Sequence, residues 1–172
     1  MNPEFSRPER VDTIGAEPRD VAIEAAADER RALAARFDVV GIDRLAATFT
    51  MQRDAVGIVL AGRVEGTVTQ ACSATGDPLA VRLDEPVALR FVEPHRGPDE
   101  AELGGDAIDT IEIEGDAIDL GEVAAETLAL ALDPFPRSPG AAAALKAAGV
   151  VSEEDAASPN AFAGLRAMLA KD

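Results

Sequence analysis

The chain has 172 residues but no Trp, no Tyr and only six Phe. Its core must therefore be assembled from Val, Ile, Leu and those phenylalanines, because the Ala that swells the apolar share buries little area per residue. The single cysteine, Cys72, excludes an internal disulfide and suits a reducing compartment. With one histidine, His95, the only pair available for Cys–His nucleophilic catalysis is Cys72 with His95. Cys72 falls in a turn after a strand, and His95 in an acidic loop beside prolines. An acid-rich surround raises a thiol's pKa, so Cys72 reads as an unactivated thiol at the solvent edge. No apolar run approaches the ~18 residues of a membrane span, and the longest, Leu128 to Leu132, falls far short. Met1-Asn2-Pro3-Glu4 offers neither a basic nor an apolar leader segment, so a cytoplasmic location is expected, with no membrane partner.

Basic residues are also scarce, with 16 Lys and Arg against 32 acids, a net charge of −16. The imbalance is local. Residues 1–92 carry 15 acids and 11 arginines, residues 93–126 carry 12 acids and only Arg96, and residues 127–172 are nearly balanced. A segment of that sign repels phosphate backbones and attracts basic proteins, or simply keeps an Ala-rich protein in solution.

The length argues for one main domain, expected over residues 1–136. Residues 137–172 are expected to form a flexible tether ending in a short helix at about 159–170. Pro3 to Pro8 reads as extended, followed by a short strand at Asp20–Ile23. Asp28 is a plausible N-cap for a helix through Phe37, which Gly41 would end. Alternation of Leu45, Ala47, Phe49 and Met51 with polar neighbours marks a strand, and Ile58 to Val68 marks its hairpin partner. Cys72–Pro78 is turn chemistry. Leu79, Val81 and Leu83 then share a parity with Val87, Leu89 and Phe91, across an apparent turn at Asp84-Glu85-Pro86. Residues 93–107 read as loop, and Ile108, Ile111 and Ile113 as one more strand. Asp119 with Glu122 forms a capping-box variant for a helix to Leu132, stopped by Pro134 and Pro136. The fold class is α+β: an antiparallel meander of about five to six strands, with two or three helices packed on one face.

Two groups of side chains are candidate binding residues. If the apolar parity of the strands faces the core, Arg44, Arg63, Arg82 and Arg90 share the opposite face. They either form a basic patch for RNA phosphates or stand solvated and paired with Glu65 and other acids. The second group is Asp106, Asp109, Glu112, Glu114, Asp116, Glu122 and Glu126, candidates for holding a basic partner. Gly105-Asp106-Ala107-Ile108-Asp109 recurs as Gly115-Asp116-Ala117-Ile118-Asp119, but the alternating ligands and central glycine of an EF-hand are absent. Nor is there a phosphate-cradling loop or nucleophile elbow. No catalytic residue, metal site, cofactor or small-molecule substrate is indicated.

Several stretches, in order, resemble the YceD family, the large ribosomal RNA subunit accumulation proteins, in its alphaproteobacterial form. They are Pro3-Glu4-Phe5-Ser6-Arg7-Pro8, Val68-Thr69-Gln70-Ala71-Cys72, Ile118-Asp119-Leu120-Gly121-Glu122 running into Leu128-Ala129-Leu130-Ala131-Leu132-Asp133-Pro134, and Asn160-Ala161-Phe162-Ala163-Gly164-Leu165. Many relatives carry further cysteines after the Leu-rich helix, in an arrangement that suggests metal binding. Here that position reads Pro136-Arg137-Ser138-Pro139-Gly140, with no cysteine. The resemblance implies a role in accumulation or processing of large-subunit (23S) ribosomal RNA without giving a mechanism, and the lack of catalytic residues makes a non-enzymatic role the expectation. Two mechanisms compete: either the Arg face touches rRNA phosphates, or the acidic 93–126 segment holds a basic ribosomal protein, and the charge of that segment favours the second. The alternative is an acidic interaction module whose basic partner is unrelated to ribosomes.

Overall fold

The computed structural model describes residues 3–94 and 109–150. Seven strands and three helices follow in chain order: β1 Pro8–Arg10, β2 Arg19–Glu24, α1 Ala27–Arg36, β3 Gly41–Arg53, β4 Ile58–Ala71, β5 Pro78–Val92, β6 Asp109–Glu112, β7 Ala117–Asp119, α2 Leu120–Ala131 and α3 Ala141–Ala147. Strands β2 to β6 form one sheet in sequence order, and β1 pairs with β7 in a second, two-stranded sheet. The architecture is α+β and mostly antiparallel. The Asp106 and His95 positions and the closing helix expected at 159–170 lie outside the described residues.

Period-2 burial governs the large sheet. Leu45, Phe49, Met51, Ile58, Leu60, Val64 and Val68 are at most 1% exposed on one face, where Leu33 of α1 and Leu120 and Leu128 of α2 cover them. The opposite face carries no helix among the described residues. The β3–β4 hairpin closes on Asp54, whose carboxylate accepts hydrogen bonds from the Val56 and Gly57 amides at 2.8 and 2.9 Å. That local capture of backbone donors is why the four residues 54–57 suffice to reverse the chain.

Four expectations are corrected. There is no turn at Asp84-Glu85-Pro86, because β5 runs unbroken from Pro78 to Val92 with its apolar parity intact. Pro86 is tolerated there because β6 pairs with β5 only from Leu89 to Val92, leaving the strand an edge at the proline. The helix starts at Ala27, with the Glu29 carboxylate accepting from the Ala26 amide at 2.7 Å, so Asp28 is not its cap. It ends before Asp38, which takes a left-handed φ of 52°, and Gly41 opens β3 instead of closing the helix. The last step of the meander is not a hairpin, since β6 lies parallel to β5. Residues 93–108 are long enough for the return crossing that a parallel pair requires.

A clasp joins the N-terminal segment to the start of α2. The Asp119 carboxylate accepts from the Ser6 hydroxyl at 2.6 Å and the Arg7 amide at 2.7 Å, and also caps α2 through the Gly121 and Glu122 amides. Phe5 is fully buried beneath it. Arg7 lies over the Phe5 ring at 4.7 Å and grips Glu29 with two hydrogen bonds, at 2.8 and 3.0 Å. Arg36 bridges Glu4 and Glu122. Asp119 is thus the cap that the sequence indicates. Glu122 does not complete the capping box; its carboxylate is taken by Arg36, whose guanidinium the Glu122 hydrogen bond holds protonated.

Candidate functional site

The four arginines do share the uncovered sheet face. Arg44 and Arg82 stand in one cross-strand row, both opposite Thr67 of β4. Arg63 sits opposite Thr48 and Pro86, and Arg90 lies at the far end, opposite Val59. Three of them are engaged by acids: Arg44 with Glu65 at 2.6 Å, Arg63 with Asp84 at 2.7 Å and Arg90 with Asp54 at 2.6 Å. The Arg63 hydrogen bond pulls the Asp84 carboxyl below its usual range, and Asp84 in turn raises Arg63. Arg82 has no ion pair among the described residues. The rest of the face is mainly Ala and Thr. Phe49 and Phe91 point into the core instead, at 1% and 6% exposure, so neither offers a ring on which a base could stack.

The acidic candidates divide differently. Glu112, Glu114, Glu122 and Glu126 line one groove between β6, β7 and α2. Its floor is apolar, made by Phe91, Ile113, Ile118 and Val123, while Ile111 stands 40% exposed at its lip. Glu122 is held by Arg36, but Glu112, Glu114 and Glu126 have no cation partner among the described residues. Asp109 begins β6. Asp116 lies away from the groove, 3.7 Å from Arg10. The apolar floor is what a count of carboxylates misses. Its signal was present in the alternation of Ile111 with Glu112, which turns the isoleucine to the Phe91 face and the glutamate to the Arg90 face, so that Glu112 forms only the outer rim.

Cys72 corrects two further expectations. It is 3% exposed, not at the solvent edge, and its thiol is lowered from 9.0 to about 6, not raised. The causes are hydrogen bonds from Thr75 and from Ser138. The Thr75 hydroxyl already donates to Asp77 at 2.6 Å, so the Ser138 amide, 3.3 Å from the sulfur, is the donor with the cleaner geometry. Ser73 donates its amide to the Pro136 carbonyl at 2.7 Å, and the buried Gln70 donates to the Asp133 carbonyl at 2.9 Å. The segment after α2 is therefore sewn to the end of β4. The Pro136–Gly140 stretch, where the resemblance leads one to expect cysteines, lies beside Cys72 but supplies Ser138. One thiol with hydroxyls and an N–H donor does not fit zinc, which is held by several thiolates or imidazoles.

A group whose pKa is lowered on folding stabilises the fold above its unfolded pKa and loses that contribution as pH falls through the folded value. The stability of the wild type relative to Cys72→Ala should thus grow between pH 6 and 9, as read by urea midpoints. A difference flat across that range contradicts the thiolate.

Residues 60–169 match the family model described as Large ribosomal RNA subunit accumulation protein YceD. Neither a curated protein nor a solved structure matches the chain significantly. The matched region takes in β4 from Leu60 on, the Cys72 turn, the acidic groove and α2, which is most of the chain, and the protein belongs to the YceD family.

Proposed function

We propose that this protein is a non-enzymatic cytoplasmic factor that supports accumulation of large-subunit ribosomal RNA indirectly, by holding a basic ribosomal protein in the acidic groove. The observation that carries this reading is the distribution of unpaired charge. On the sheet face, three of the four arginines are already neutralised by neighbouring acids. In the groove, Glu112, Glu114 and Glu126 are without a cation among the described residues, over an apolar floor. A protein of net charge −16 approaches RNA against its own field unless its bases are concentrated, and here they are not.

The test measures binding of the purified protein to large-subunit rRNA fragments and to purified large-subunit ribosomal proteins. Partly exposed carboxylates contribute about 0.2–1 kcal/mol each to an ion pair. The combined Glu112→Gln, Glu114→Gln and Glu126→Gln change should therefore weaken protein binding about tenfold. Arg63→Glu with Arg82→Glu should leave it unchanged. Direct rRNA binding that disappears in the double arginine variant would overturn the proposal. Glu122 is spared because neutralising it would release Arg36 and confound binding with stability.

A further inference from the structure

The groove is bounded on one side by a sheet edge. β6 is the terminal strand of the order β2-β3-β4-β5-β6, and its outer edge has no ladder partner among the described residues. Its four residues, Asp109 to Glu112, are exposed or half-exposed throughout. An open edge is a row of unused N–H and C=O groups, which proteins ordinarily guard against pairing with copies of themselves. Here the guard has one sign. Asp109 and Glu112 lie on the strand, Glu114 just beyond it, and Glu126 across the groove on α2.

We infer that β6 accepts an extended, basic segment of a partner protein as a sixth strand of the large sheet. This rests on the proposed function and specifies how that partner is gripped. Main-chain hydrogen bonds from the β6 edge would supply the ladder, as in other strand-addition complexes. Side chains alternate across an added strand. Aliphatic side chains of one parity would cover Ile111 and Val123 on the α2 side, with a basic side chain at the end of that row meeting Glu126, and Lys or Arg of the other parity would meet Glu112 on the arginine face.

Charge selects this occupant over the nearer ones. A second copy of the chain would bring net charge −16 to the same edge. Within the chain, residues 95–108 hold four acids and one Arg, and residues 151–172 hold four acids against Arg166 and Lys171. Both would meet the carboxylates with like charge. A segment alternating basic and aliphatic residues satisfies the floor, the rim and the edge together.

The probe is a labelled seven-residue peptide alternating Lys and Val, added to the full-length protein at low salt and followed by anisotropy and amide hydrogen exchange. Saturable binding should slow exchange at Thr110 and Glu112, whose amides face the open edge. A peptide with proline at the central Val should lose at least tenfold, because proline cannot donate to a ladder. The Glu112→Gln, Glu114→Gln, Glu126→Gln protein should lose about tenfold, and a Glu–Val peptide should not bind. Equal binding of the proline peptide, or no added protection on β6, overturns strand addition. If ribosomal-protein binding still depends on the three glutamates, the proposed function survives and only the mode of grip falls. If that dependence is also missing, both fall.

Discussion

Replacing Gly121 with alanine is expected to destabilise the fold by about 3 kcal/mol, although alanine is the better helix former by about 1 kcal/mol. A Cβ at this position would lie 2.2 Å from the Phe5 carbonyl oxygen and 2.8 Å from its carbon. Those are backbone atoms, and they cannot swing aside as a side chain would. Ser6 and Arg7 are fixed to Asp119, and Pro8 to Arg10 are paired with β7. Accommodating the methyl group therefore means lifting the N-terminal segment and exposing Phe5, which is fully buried. Urea denaturation should show the lower midpoint, and exchange should accelerate at the Arg7 amide before the rest of the protein. An unchanged midpoint would mean that the N-terminal segment is not clasped to α2.

The second large effect lies one turn before the end of α2. Leu128 is fully buried, and its Cδ1 sits 2.3 Å from where a Cβ on Gly66 of β4 would project, so the glycine is the notch that receives it. Leu128→Ala should cost about 3 kcal/mol, the transfer term plus the cavity left behind. Leu130, two residues on and 88% exposed, provides the control. Leu130→Ser should shift stability by less than about 0.5 kcal/mol. Equal effects at both positions would contradict the packing of α2 on the sheet.

These two sites show where sequence reasoning reached and where it stopped. Strand parity placed Phe49, Leu60 and Val64 in the core and the four arginines opposite them, because a period of two survives any error in strand ends. Asp119 was legible as a cap because capping is local. The clasp was not legible: Arg36 and Glu122 are 86 positions apart, and nothing in either neighbourhood announces the other. The false turn at Pro86 arose because a proline reads as a breaker unless the strand is known to be an edge at that point. For the same reason β7, only three residues long, carries no alternation of its own and exists because β1 pairs with it. At Cys72 composition pointed the wrong way. The surrounding acids suggested a raised pKa, while the donor that lowers it comes from Ser138, 66 positions on. The acidic groove was half visible, as carboxylates without their floor.

The central claim is that the acidic groove, and not the arginine face, carries the contribution to large-subunit rRNA. It is tested most directly by the ratio of large- to small-subunit rRNA in a strain deleted for the gene and complemented with each variant at equal protein level. The account predicts a selective fall in large-subunit rRNA on deletion. Wild type and Arg63→Glu with Arg82→Glu should restore the ratio, and Glu112→Gln, Glu114→Gln, Glu126→Gln should not. Full rescue by the glutamate variant together with failure of the arginine variant would contradict it and give the rRNA contact to the sheet face.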